Sequence, residues 1–112
     1  MEERKLNTLR VSSHSYPSAT AGAIANGVRE RSAVEIEVIG PRAVNQAVKA
    51  IAIARGYVAS SGADLYCVPS FIKIQVVASG DEKTAIHFAI RPRHQVADTS
   101  MNESSNEKAA EL

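Results

Sequence analysis

The sequence predicts an α/β chain of the α+β two-layer sandwich type. Its element order is β-α-β-α-β-β, with a four-stranded mixed sheet and two helices on one face. Three observations predict it. Val34, Ile36 and Val38 alternate with Glu35 and Glu37, the pattern of a strand with one wet face. Two segments opened by Pro17 and Pro41 repeat apolar residues at helical spacing. Residues 65–77 and 84–91 are β-prone runs divided by Ser79-Gly80-Asp81-Glu82, the composition of a hairpin turn. Right-handed crossovers then place both helices on the same side of the sheet.

Residues 6–12 read as the first strand, with Leu9 and Val11 on one side and Arg10 on the other. SSHSYPSAT breaks that pattern. Pro17 suits a first helical turn, with a serine just before it, Ser15, as cap. Ala21, Ile24, Ala25 and Val28 make the apolar stripe of this helix, and Arg29 and Arg31 sit at its end, where cations complement the helix dipole. Residues 33–39 form the alternating strand. The second helix runs from Pro41 to about Val58 and is ended by Ser60-Ser61-Gly62. Pro69 interrupts the next strand, which predicts a bulge or bend. In the last strand Ile86, Phe88 and Ile90 point inward and His87 outward, a surface partner for Glu35 or Glu37.

At 112 residues the chain holds one domain. Without tryptophan its core must be built from Val, Ile, Leu and Ala. The net charge of +1 is unevenly spread. Residues 1–91 carry 11 Lys/Arg against 8 Asp/Glu, whereas residues 92–112 carry 2 against 4. A mildly basic body thus bears an acidic tail, far short of the basicity of a histone-like protein. Residues 1–6 read as an extension, and residues 94–112 as a polar, disordered tail that includes His94. Cys67, the single cysteine, excludes an internal disulfide and a cysteine zinc cluster. The opening MEERKLNTLRV lacks a signal peptide's apolar run, and no window approaches a membrane span of about 20 apolar residues. The expected setting is the cytoplasm.

The second helix carries the sharpest chemistry. At 100° per residue, Asn45, Gln46 and Lys49 fall within about 60° of Arg42, forming a polar face that an anion can meet. Val44, Ala47, Val48 and Ile51 lie opposite and are expected to bury against the sheet. Ala43, Ala47, Ala50 and Ala54 form a small-residue flank that permits close approach. Ile53 returns to the polar side, which predicts a contact with another subunit. Pro41 removes one N–H from the helix start, so Gly40-Pro41 is a weaker anion nest than a glycine-rich loop.

Other constellations read as structural. His14 among Ser12, Ser13 and Ser15 has no acid placed beside it, so a turn is favoured over a catalytic triad. Three scattered histidines and one cysteine have no metal-ligand spacing, so no metal and no cofactor is expected. Cys67 sits in an apolar strand and reads as a core thiol. Glu35 and Glu37 read as a solvated sheet face rather than a catalytic pair. Tyr16 and Tyr57 are the aromatics expected near the binding end, where one can stack on a base.

The run from RVSSHSYPSATAGAIANGVRER through VEIEVIGPRAVNQAVKAIAIARG to CVPSFIKIQV, with EKTAIHFAIRPR after it, resembles the stage V sporulation protein S family. That family is in turn similar to the Alba superfamily. The shared signature is a strand ending in Ile39-Gly40 followed by a helix carrying Ala43, Asn45, Ala47 and Val48. The resemblance implies an Alba-like domain over residues 7–93, a homodimer or a tetramer, and a non-enzymatic sporulation or developmental regulator that binds DNA or RNA. It implies contacts from Ser13 and His14 in the first loop, from Arg42, Asn45, Gln46 and Lys49 in the second helix, and from Lys73 and Lys83 in the hairpin. Two departures weaken that expectation. The loop SSHSYPS has no lysine, and the hairpin tip carries Asp81 and Glu82, which repel phosphate. Each missing cation removes about one counterion's worth of salt-dependent affinity. A protein–protein adaptor on the same fold is the competing expectation.

Overall fold

The structure, a computed structural model, describes residues 5–94. The expected acidic tail lies outside the described residues. Strand β1 (Leu6–Val11) leads through helix α1 (Pro17–Arg29) to β2 (Ala33–Val38). Helix α2 (Pro41–Ala59) then leads to the hairpin of β3 (Ala63–Gln75) and β4 (Glu82–His94). The sheet order is β1-β2-β4-β3, with β1 and β2 parallel and the other neighbours antiparallel. The expected element order, mixed sheet and helix layer are all present.

Both helices cover the face that carries Val34, Ile36 and Val38, which are buried together with Phe88 and Ile90 of β4. Each such Val, Ile or Phe side chain contributes about 1.5–3 kcal/mol through burial. The helices meet through small residues: Ala21 and Ala25 of α1, and Ala43, Ala47, Ala50 and Ala54 of α2, are all buried. What approaches the alanine flank closely is therefore α1. This overturns part of the helical-wheel expectation. Val44 is only partly buried and Val48 is 50% exposed, because α2 turns its alanines, Ile51 and Val58 inward. Ile53 is partly buried and packs against the core within the protomer.

Gly27 sits where α1 crosses β2. A Cβ there would lie 2.6 Å from Cγ2 of Val34, so only glycine allows this approach. Helix α1 ends in a Schellman motif: Arg31 N–H donates to Val28 O at 3.0 Å and Ser32 N–H to Gly27 O at 2.9 Å. Arg31 occupies the left-handed position of that motif, with φ 61°, where glycine is usual.

Several local expectations change. The α1 N-cap is Tyr16, one residue beyond Ser15, and makes no side-chain cap bond, because the helix starts at Pro17. Pro69 makes no bulge. The β3–β4 register runs unbroken from Ala63↔His94 to Gln75↔Glu82. β3 lies at the sheet edge, so the missing Pro69 N–H faces away from β4 and interrupts nothing. The backbone of His94 belongs to β4, paired with Ala63, rather than to the tail. The turn spans Val76 to Asp81, closed by Val76 N–H to Asp81 O at 2.8 Å, and Glu82 already belongs to β4.

Candidate functional site

The C-terminal ends of the parallel strands β1 and β2 open beside the start of α2. Gly40, at φ 91°, turns the chain there, and Pro41 begins the helix. The crevice at the carboxyl ends of parallel strands is a favoured ligand position in α/β sheets. Here a cleft of about 560 Å³ occupies it. Val11, Ile39, Pro41, Ala43 and Ile74 supply apolar walls. Arg10, Ser12, Ser13, Glu37 and Arg42 supply the polar rim. Arg10 Nε lies 3.5 Å from Glu37 Oε2. Ser13 and Arg42, separated in sequence by the whole of α1 and β2, thus line one cleft.

The first loop is closed by its own bonds. Ser12 N–H donates to Ser15 Oγ at 3.0 Å, His14 N–H to Ser12 Oγ at 3.1 Å, and Ser15 N–H to Ser12 O at 3.2 Å. The serine hydroxyls thereby serve a turn, as expected. Gln46 Nε2 donates to Ser15 O at 2.9 Å and fastens this loop to α2. The amide of Gln46, a residue expected on the binding face, thus also holds the loop. Ser13, His14, Arg42, Asn45 and Lys49 are exposed. Tyr16, next to the tethered Ser15, is 78% exposed. Tyr57 does not join this end: it lies roughly 22 Å further along α2 at 1.5 Å per residue, where its carbonyl accepts from Arg29 Nη2 at 3.0 Å.

The hairpin lysines separate. Lys73 pairs with Thr84 and Lys83 with Ile74, so alternation sends them to opposite faces of the sheet. Lys73 Nζ lies 3.5 Å from Glu82 Oε1 on the helix-side face. Lys83 shares the open face with Ile74 of the cleft wall.

The open face of the sheet carries a polar cluster around Glu35. Glu35 lies between His87 Nε2 and Arg91 Nη2, each at 3.4 Å, as expected for His87. Arg91 Nη1 also donates to Val34 O at 3.1 Å. At the far end of α2, Arg55 grips Asp64 at 2.7 and 3.0 Å. Those two bonds hold the Asp64 carboxyl below its usual range and raise the Arg55 guanidinium. Sequence reading missed this pair, and also missed Arg10, Ile39 and Ile74 of the cleft. The only signal for the latter is their place at strand ends that lie far apart in the chain. Among the described residues, no three His, Cys, Asp or Glu side chains gather as a metal site, and no helix is long and apolar enough to cross a membrane.

A four-stranded mixed sheet under two helices, with a polar-rimmed cleft at its parallel strand ends, defines a small α+β sandwich protein. The chain belongs to the stage V sporulation protein S (SpoVS) family, whose model matches residues 7–93. That membership points to a sporulation-related regulator.

Proposed function

We propose that this protein is a non-enzymatic, cytoplasmic nucleic-acid-binding regulator. Arg42 and Lys49 neutralise phosphates of DNA or RNA, while Asn45, Ser13 and His14 position the backbone. The observation that supports this reading most is the bond from Gln46 to Ser15. It joins the first loop to α2, so that residues from two distant segments present one surface with Arg42 at its cleft. The lysine-free loop keeps affinity modest. The active form is a homodimer, or a tetramer built from it. The flank of α2 from which Arg55 reaches Asp64 also bears Val44 and Val48, which fall within about 40° of Arg55 at 100° per residue. Phe71, 80% exposed, continues the face of β3 that holds Leu65 and Cys67 against the core. A second copy would cover these apolar side chains.

The test is fluorescence anisotropy against DNA and RNA at low and raised salt, with sedimentation for mass. Binding that weakens with salt, and falls further in Arg42→Ala/Lys49→Ala, is expected. A second reading, a protein–protein adaptor, is favoured by exposed Tyr66, Val68 and Phe71 and by the acidic hairpin tip. Absence of binding even at low salt, with a protein complex that Phe71→Asp abolishes, selects the adaptor.

A further inference from the structure

Ile39, directly after β2, is 44% exposed, and Ile74 and Pro41 stand with it around the cleft. An apolar wall of this kind is wasted on a duplex. A duplex keeps its bases stacked inside and offers the outside mostly phosphates and groove edges. An unpaired nucleotide is different, because its base can be splayed out and buried by its flat face. The cleft volume of about 560 Å³ suits a ligand of nucleotide size, since small-molecule sites span about 300–1,000 Å³.

The charges around the cleft give the ligand a direction. Arg42 and Ser13 stand on the loop-and-helix side, whereas Glu37 stands on the open sheet face, 3.5 Å from Arg10. A phosphate is repelled by Glu37 and drawn to Arg42. A base amino group, as on cytosine or adenine, can donate to the Glu37 carboxylate, whereas the carbonyl of uracil at that position cannot. The hairpin adds no continuous cationic track for a duplex, because Lys73 faces the opposite side and is paired with Glu82.

Resting on the nucleic-acid reading above, we infer that the cleft receives one unpaired, amino-bearing nucleotide of a single-stranded or bulged segment. Its base lies against Ile39, Pro41 and Ile74, its amino group meets Glu37, and its phosphate meets Arg42. A free mononucleotide shares this chemistry, and the experiment separates the two sources.

The experiment is anisotropy with the full chain against oligonucleotides of equal length at fixed salt. The probes are oligo(C), oligo(U), a perfect duplex and a duplex with one bulged cytidine, with cytidine monophosphate as competitor. Single-stranded and bulged probes are expected to bind about tenfold more tightly than the perfect duplex, and Ile39→Ser is expected to bring that ratio close to one. Glu37→Gln is expected to narrow the preference for oligo(C) over oligo(U). Circular dichroism confirms the fold of each variant. Equal or tighter binding of the perfect duplex overturns the inference while leaving the nucleic-acid reading intact. So does a single-strand preference that neither Ile39→Ser nor Glu37→Gln changes. Binding of the mononucleotide without binding of any oligonucleotide overturns it in favour of a free nucleotide, and absence of all binding removes both readings.

Discussion

The side-chain amide of Gln46 donates to the carbonyl of Ser15 at 2.9 Å, across 31 positions of sequence. That bond ties the turn after β1 to the second turn of α2. Loss of one such partly buried bond costs about 0.5–1.5 kcal/mol. Gln46→Ala is therefore expected to lower the urea midpoint slightly and to speed amide exchange at residues 12–16 far more than in the β2 core. Unchanged exchange in that loop would show that its own serine bonds suffice.

Gly27 and Val34 define a second test. Gly27→Ala adds a helix-favouring residue but drives a Cβ to 2.6 Å from the Val34 side chain. Overpacking of this kind costs about 1–3 kcal/mol, more than the gain of roughly 1 kcal/mol in helix propensity. The variant is expected to be less stable by thermal melting, and the loss to shrink in a Val34→Ala background. Full additivity of the two changes would contradict the contact.

Arg31 should behave in the opposite way. Its left-handed backbone, φ 61°, suits glycine. Arg31→Gly is expected to raise stability by about 0.5–1 kcal/mol, whereas the β-branched Arg31→Val lowers it. Denaturant titration of the two variants reads the sign directly.

Much of this fold is legible in the sequence because alternation states it locally. Val34-Glu35-Ile36-Glu37-Val38 alone gives a strand, its buried face and its wet face. The orientation of α2 was less legible. A helical wheel shows that Val44 and Val48 lie away from Arg42, but not that α1 packs on the alanine flank and draws burial around to it. Composition predicts a bulge or bend at Pro69 because it cannot reveal that β3 is an edge strand. The cleft was hidden for a different reason. Arg10, Ile39 with Arg42, and Ile74 come from three separate stretches, and only the parallel pairing of β1 with β2 and the antiparallel pairing of β4 with β2 and β3 bring them to one place.

The Arg55–Asp64 pair predicts a pH dependence. The Asp64 carboxyl titrates below its usual value, first because Arg55 donates two bonds to its charged form. Its stabilisation is thus complete above the unfolded aspartate value of about 3.9 and is lost as pH falls through the lower folded value. Arg55 is largely exposed, so the contribution is about 0.5–1 kcal/mol. The urea midpoint of the parent protein is expected to exceed that of Asp64→Asn at pH 7 and to converge on it in strong acid. A constant difference across that range would assign the effect to packing instead.

The hairpin lysines separate the readings of the surface. Lys83→Ala is expected to weaken nucleic-acid binding and to reduce the salt slope by about one, since Lys83 shares the open face with the cleft. Lys73→Ala is expected to change little, because its ammonium faces the other side and is neutralised by Glu82. Equal losses would require the ligand to wrap around the hairpin.

Pro69 gives the long edge strand a gatekeeper. β3 runs for 13 residues at the rim of the sheet and bears an exposed Phe71, the profile of a strand that recruits foreign strands. A strand adding to that rim would find one donor missing at its middle, with no hydrogen to complete the ladder. The residue that leaves the native pairing undisturbed therefore protects the chain against amyloid-like growth, and Pro69→Val is the substitution that would remove this protection.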